Sequence, residues 1–284
     1  MTAHAKGLLL TFSGVVLMSV ESPLIRLSAL PIQSIGFYFG IFLVIATNSM
    51  LLTKGKRYWI QSYTQEFKGI LFSGFFMGLS NFCFISAVYY TGIANTVLIL
   101  ASSPIISALI AFLFLKQKTP LRIFIATFIV SIGLYIILAQ DLSQGTLIGN
   151  LFAFGCVLSF STLFVVLTKY KKASRLGYVS VGGAFVALFS LGGITLHVST
   201  EAIVLIAIMG LFVTPLSRLL IGLGTRYILP AEVGLLVIGE SVLAPLWGWW
   251  WLKEVPSSAT LTGGAIILVA LLINSLITLK TSRI

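Results

Sequence analysis

Charge is the scarcest feature of this sequence: Lys, Arg, Asp and Glu make up 9% of its 284 residues, against about 25% in an ordinary soluble domain. Eighteen basic and seven acidic side chains cannot cover a globule of this size, and the apolar patches left over would aggregate. A water-soluble fold is excluded. Cysteine is nearly absent too. Cys83 and Cys156 lie inside apolar runs with no metal or redox spacing, and read as buried small residues. The two histidines, His4 and His197, fall at opposite sides of the expected membrane, so no haem or metal centre built on His is expected. Asp141 is the sole aspartate and lies near a loop, which removes an aspartyl dyad. There is no Gly-x4-Gly-Lys-Ser/Thr run, and no loop is long enough for a nucleotide-binding domain. The expectation is therefore no catalytic residue, no metal and no cofactor, with any work drawn from gradients.

What is present is hydrophobicity, 58% of the chain. Apolar stretches recur at 7–29, 34–53, 69–90, 94–115, 121–138, 147–168, 177–196, 202–224, 231–252 and 260–280. Each is close to the roughly 20 residues that a bilayer helix needs. Short separators carry turn or charge signals, such as Leu30-Pro31, Thr119-Pro120 and Leu229-Pro230. Unpaired backbone amides cannot face hydrocarbon, and continuous runs of this length do not suit barrel strands. The fold class expected is an all-α membrane protein of ten transmembrane helices. The run from Gly7 is too long for a signal-peptide core and reads as a retained first span.

The net charge of +11 suggests an anionic partner until each charge is placed. With a cytoplasmic N-terminus and ten spans, 16 basic residues fall inside, and only Arg26 and Lys253 fall outside. Such a bias sets orientation. It places both termini in the cytoplasm, in a cytoplasmic (inner) membrane, and leaves no reason to expect a nucleic-acid partner. The cluster Trp247, Trp249, Trp250 and Trp251 then reads as an anchor at the outer interface.

A shift of 137 residues lays the chain on itself: Ser80 on Ser217, Tyr90 on Tyr227, Ala94 on Ala231, Leu115-Lys116 on Leu252-Lys253 and Ile129 on Ile266. Two five-helix halves, 1–141 and 142–284, are expected. Because five is odd, they insert in opposite directions, an arrangement common among transporters.

The turn Leu252-Lys253-Glu254, followed by Gly263-Gly264-Ala265-Ile266-Ile267, resembles the EamA repeat of the drug/metabolite transporter superfamily. The first half has Leu115-Lys116-Gln117, with Gln117 in the acidic position. The resemblance covers essentially the whole chain. It implies transport of a small metabolite by alternating access and leaves the substrate open.

Ionisable groups inside hydrocarbon cost about 2.5–3.5 kcal/mol each on insertion scales, so each needs a reason. Arg218 and Glu240 are both 11 residues from Leu229, hence at equal depth on neighbouring helices. They form either a structural ion pair or part of a substrate cavity, where Arg218 would hold a carboxylate or phosphate and Glu240 an amine or a proton. Asn81, which the 137 shift places on Arg218, joins them as a cavity candidate, or else bonds a neighbouring helix. Glu21, with Ser22 and Pro23 beside it, either lines a bent segment and titrates during transport or pairs with Arg26. Glu232 at the start of a span complements the helix dipole and reads as structural. Further lining candidates are Ser102, Ser103, Ser159, Ser161 and Ser241. Pro23, Pro104, Pro215 and Pro245 are hinge candidates. Gly36 with Gly40 and Gly74 with Gly78 read as close-packing positions.

The function expected is a secondary transporter, gradient-driven or facilitative, of a small polar or amphipathic metabolite such as an amino acid. Proton coupling would run through Glu21 or Glu240. A channel or an intramembrane enzyme is the alternative. The partners expected are the lipid bilayer and a small-molecule substrate, with the chain a monomer or homodimer.

Overall fold

The computed structural model describes residues 2–138, 146–195, 198–252 and 258–281. Among them all regular structure is helical: α1 (Ala3–Met18), α2 (Glu21–Ser28), α3 (Ile32–Leu52), α4 (Lys56–Thr64), α5 (Phe67–Leu100), α6 (Ser103–Leu115), α7 (Leu121–Leu138), α8 (Leu147–Lys169), α9 (Arg175–Phe189), α10 (Thr200–Ile208), a π turn (Met209–Val213), α11 (Thr214–Gly224), α12 (Pro230–Val237), α13 (Glu240–Leu252) and α14 (Ser258–Thr281). Among the described residues five segments are long and apolar enough to cross a membrane: Ala3–Ile25, Ile32–Leu52, Phe67–Ala87, Leu147–Lys169 and Thr200–Gly224. Ser103–Leu115, Leu121–Ile137, Arg175–Phe189 and Leu261–Ile277 are shorter apolar helices. Large apolar side chains such as Phe114, Phe128 and Leu151 are exposed, as suits a surface solvated by lipid. Cys83 and Cys156 are buried free thiols.

Several apolar stretches that read as single spans are broken. The first is interrupted at Ser19-Val20, the fourth at Ala101-Ser102 and the ninth at Ile238-Gly239, and the eighth carries the π turn. Proline explains three of these. It has no N–H and its ring crowds the carbonyl four residues earlier. Positions four residues before Pro23, Pro104 and Pro215 are Ser19, Leu100 and Leu211, each at or beside its irregularity. The three prolines themselves sit in the first turn of α2, α6 and α11, where a missing N–H removes no intrahelical bond. Gly239 suits the fourth break, since glycine weakens a helix interior.

The third and fourth stretches differ from expectation in another way, because helical bonding is continuous through α5 across the expected turn. The chain nevertheless turns back there. Ser80 Oγ contacts the Cys156 carbonyl at 3.5 Å, Thr91 donates to Asn150 at 2.8 Å, and Ser161 of α8 donates to the Ser103 carbonyl at 3.2 Å. A straight helix would carry the chain about 35 Å from Ser80 to Ser103, yet their partners on α8 are only about 8 Å apart. The direction relative to α8 therefore reverses between Thr91 and Ser103.

Glycine lets the helices meet closely. A side chain at Gly40 would sit 2.5 Å from the Gly183 carbonyl oxygen and 2.8 Å from the Ala187 nitrogen. Gly36 abuts Ser190, Gly74 abuts Val181 and Gly78 abuts Phe185, which bears out their reading as packing positions. The main core gathers α1, α3, α5, α8, α9 and α11 around Leu43, Met77, Phe164 and Tyr178. A second core joins α7 and α14 with α12 and α13 through Val130, Leu134, Leu235, Val242 and Ile267.

Candidate functional site

Helix α1 lies antiparallel to α11. Gly7 abuts Tyr227 and Ile228, and Gly14 abuts Ser217 and Ile221. Eleven residues of α1 separate Gly7 from Met18, about 16 Å, which is half the roughly 30 Å thickness of a bilayer core. At this depth α1 ends, and Glu21 opens α2.

Glu21 and Arg218 meet here. The Arg218 Nη2 lies 3.6 Å from Glu21 Oε2, with side chains 11% and 12% exposed. The other carboxylate oxygen, Oε1, accepts from Thr214 Oγ1 at 2.9 Å and Ser217 Oγ at 3.3 Å. Both hydroxyls come from the first turn of α11, directly after the π turn. Arg218 Nη1 donates to the Met18 sulfur at 3.0 Å, and its Nε has no hydrogen-bond partner among the described residues. Tyr178 of α9 fixes the backbone by donating to the Arg218 carbonyl at 3.0 Å. At the break itself, Trp247 Nε1 donates to Ser19 Oγ at 2.8 Å. This inward bond adds to the anchoring expected of the tryptophans, whereas Trp249, Trp250 and Trp251 are exposed.

The carboxylate seen against Arg218 is thus that of Glu21. Glu240 opens α13 and is half-buried. The side chains of Ser22, Arg26 and Pro245 lie outside the described residues, as do Asp141 with the expected boundary between halves, His197, and the Lys253-Glu254 turn. Asn81 turns back on its own helix and donates to the Met77 carbonyl at 3.0 Å, a use of the amide that the sequence reading did not include.

The serines cluster at the breaks and serve the backbone. Ser102 donates to the Ile99 carbonyl at 2.7 Å, Ser241 to Ile238 at 2.6 Å and Ser19 to Val16 at 2.7 Å. Ser161 bridges from α8 to the Ser103 carbonyl at 3.2 Å, while Ser103 and Ser159 are buried. Helix ends leave carbonyls unpaired, and hydrocarbon supplies no water for them. The hydroxyl protons of Ser102, Ser161 and Ser241 are committed in this way.

Thr214, Ser217, Met18 and Tyr178 were missed by sequence reasoning. A signal existed for two of them: Thr214, Ser217 and Arg218 stand at helical spacing along one otherwise apolar run. Glu232 has the structural position expected, in the first turn of α12, where it accepts from the Leu229 nitrogen at 3.1 Å. It is also 1% exposed and faces two further residues, Arg122 at 3.2 Å and His4 at 3.6 Å. Among the described residues no group of three or more His, Cys, Asp or Glu is placed to hold a metal.

Residues 5–139 match the model of the EamA-like transporter family, a match consistent with the drug/metabolite transporter superfamily. A solved crystal structure of a protein 15% identical to this one shares the fold, with a TM-score of 0.84 over 96% of this chain and 98% of that one. No curated protein matches.

Proposed function

We propose that this integral membrane protein is a ten-helix secondary transporter that moves a small polar or amphipathic metabolite by alternating access. The EamA-like match of residues 5–139 supports a transporter of the drug/metabolite type, and the resemblance of the second half at Leu252-Lys253-Glu254 and Gly263-Gly264 extends that reading over the chain. Two inverted halves, 1–141 and 142–284, are supported by the spacing of elements. Shifting α6 (Ser103–Leu115) by 137 gives α13 (Glu240–Leu252), bound for bound, and the start of α7 at Leu121 shifts onto that of α14 at Ser258. The breaks at Ala101-Ser102 and Ile238-Gly239 obey the same offset. The bias of basic residues supports cytoplasmic termini in an inner membrane.

The observation that carries the function is the Glu21–Arg218 pair. It stands at mid-depth, where α1 is discontinuous and the segment opposite is distorted by a π turn. Irregular backbone at this depth is characteristic of transporter binding sites. Arg218 is the substrate contact and Glu21 the proton-coupling carboxylate. Glu240 and Ser103, which the repeat relates, open the paired half-helices that flank the path. The bilayer and the substrate are the partners, and one chain or a homodimer suffices.

Flux of labelled metabolites into proteoliposomes tests this. Arg218→Ala and Glu21→Gln are each expected to lower a saturable wild-type flux about tenfold or more, with the proteins still folded by gel filtration. Unchanged flux in both removes the pair from the transport path. Flux that never saturates replaces the carrier with a channel.

A further inference from the structure

Arg218 is about nine-tenths buried, but its hydrogen-bonding capacity is largely unused. A guanidinium carries five N–H donors. The described partners are a thioether sulfur, which is a weak acceptor, and a carboxylate oxygen 3.6 Å away, beyond hydrogen-bond range. Its Nε has none. Glu21 is held differently. Its firm contact is the Thr214 hydroxyl at 2.9 Å, supported by Ser217 Oγ, which lies 3.3 Å from the same oxygen and 3.1 Å from the Thr214 carbonyl, so it can stay in place when Arg218 is engaged elsewhere.

Resting on the transporter reading above, the geometry points to Arg218 as the site for a singly charged organic carboxylate that takes the place of Glu21, with one proton passing to Glu21 for each anion bound. Charge balance demands the proton. The resting pair is neutral. An added anion beside an ionised Glu21 would leave one uncompensated negative charge at mid-depth, costing about 2.5–3.5 kcal/mol on insertion scales. When Glu21 Oε2 takes a proton from the aqueous side that delivers the anion, the carboxylate becomes a neutral acid. Arg218 and the substrate then form the new neutral pair. Thr214 and Ser217 contact Oε1 and not Oε2, so they can go on donating to Oε1 when Oε2 carries the proton, and Glu21 keeps its position through the exchange. Release on the opposite side reverses the steps: the anion leaves, the proton leaves Glu21, and Glu21 returns to Arg218. The cycle carries anion and proton together and moves no net charge.

One guanidinium favours a monoanion over a phosphate dianion. Met18 fits the exchange, because its flexible thioether occupies Nη1 at 3.0 Å and can give way to a carboxylate oxygen. Bidentate recognition by the planar Arg fork then uses donors that the resting pair leaves idle.

The test uses the full chain in proteoliposomes loaded with a pH-indicating dye, with protein-free vesicles as background. Gluconate, pyroglutamate, glutamate, phosphate, glycine and choline are added singly, and labelled-solute uptake is read beside lumenal pH. A monocarboxylate is expected to enter with about one proton per molecule, as linkage requires when binding and protonation are coupled. In Glu21→Gln net uptake falls about tenfold or more, and the anion still moves only as exchange against the same anion preloaded in the lumen, which no longer acidifies. Arg218→Gln loses anion uptake by about tenfold or more, and Arg218→Lys, which keeps the charge without the fork, falls between. Monocarboxylate entry without protons in the wild type, acidification that survives in Glu21→Gln, or transport confined to phosphate, glycine or choline overturns the inference and leaves a transporter standing. If none of the six moves and none raises the melting temperature of the purified protein, the transporter reading fails with it.

Discussion

At the scale of single residues, the ion pair and the hydroxyls around it must be separated. Thr214 and Ser217 hold Oε1 of Glu21 at 2.9 and 3.3 Å, and a hydrogen bond to a charged group contributes about 1.5–3 kcal/mol. Thr214→Val combined with Ser217→Ala should therefore lower the melting temperature of the purified protein. The loss should shrink in a Glu21→Gln background, because a neutral amide gains less from the two donors. A double-mutant cycle reads that coupling directly. Equal losses in both backgrounds would mean that the hydroxyls stabilise α11 without holding Glu21.

The burial of Arg218 and Glu21 was legible in the sequence, since charge inside an apolar run has few explanations. The partner was not. Counting outward from the turn at Leu229 favours a neighbour on the same hairpin, whereas the pair described joins Glu21, where α2 follows α1, to α11, about two thirds of the chain length away. Gly7, Gly14 and Gly224 bring those helices together, and a glycine shows where close approach is possible without naming what approaches. The serines show a use that their position in apolar runs does not specify. Ser102, Ser161 and Ser241, read from the sequence as lining candidates, each donate to a carbonyl at or near a helix break.

At the scale of elements, close packing sets the strongest local constraint. Helices α3 and α9 run antiparallel, with Gly36 against Ser190 and Asn48 bonded to Ser180 at 2.8 Å. A methyl at Gly40 meets backbone atoms of Gly183 and Ala187, which no rotamer change relieves. Gly40→Ala is expected to destabilise by about 1–3 kcal/mol, the usual range for overpacking. Gly155→Ala is the control, because its nearest neighbour is the Cys83 sulfur at 3.4 Å. Thermal unfolding in detergent compares them, and equal melting temperatures would show that α3 and α9 can separate freely. The prolines carried a readable signal that needed one correction in placement. Each breaks the helix before it and then begins the next, so the irregular residues are Ser19-Val20 and Met209–Val213, upstream of Pro23 and Pro215.

At the scale of the whole molecule, orientation depends on charge outside the apolar segments. Lys54, Lys56 and Arg57 flank the start of α4, and Trp59 and Tyr63 of that helix both donate to Asn48 Oδ1, at 2.7 and 2.9 Å. This ties a short basic helix to the end of α3, the side on which positive charge collects in the proposed topology. Thr53 and Ser199 lie beyond apolar segments on opposite faces in that topology. Cys83 and Cys156 are buried, so a water-soluble maleimide should leave them unlabelled in intact membranes. A cysteine replacing Thr53 should then react only when the reagent reaches the cytoplasm, and one replacing Ser199 should react from outside. Labelling of both from one side would require an odd number of spans to be lost between them. It would also break the inverted relation that places Ser103 and Glu240 at the starts of matching half-helices, leaving the 137-residue offset as a property of sequence alone.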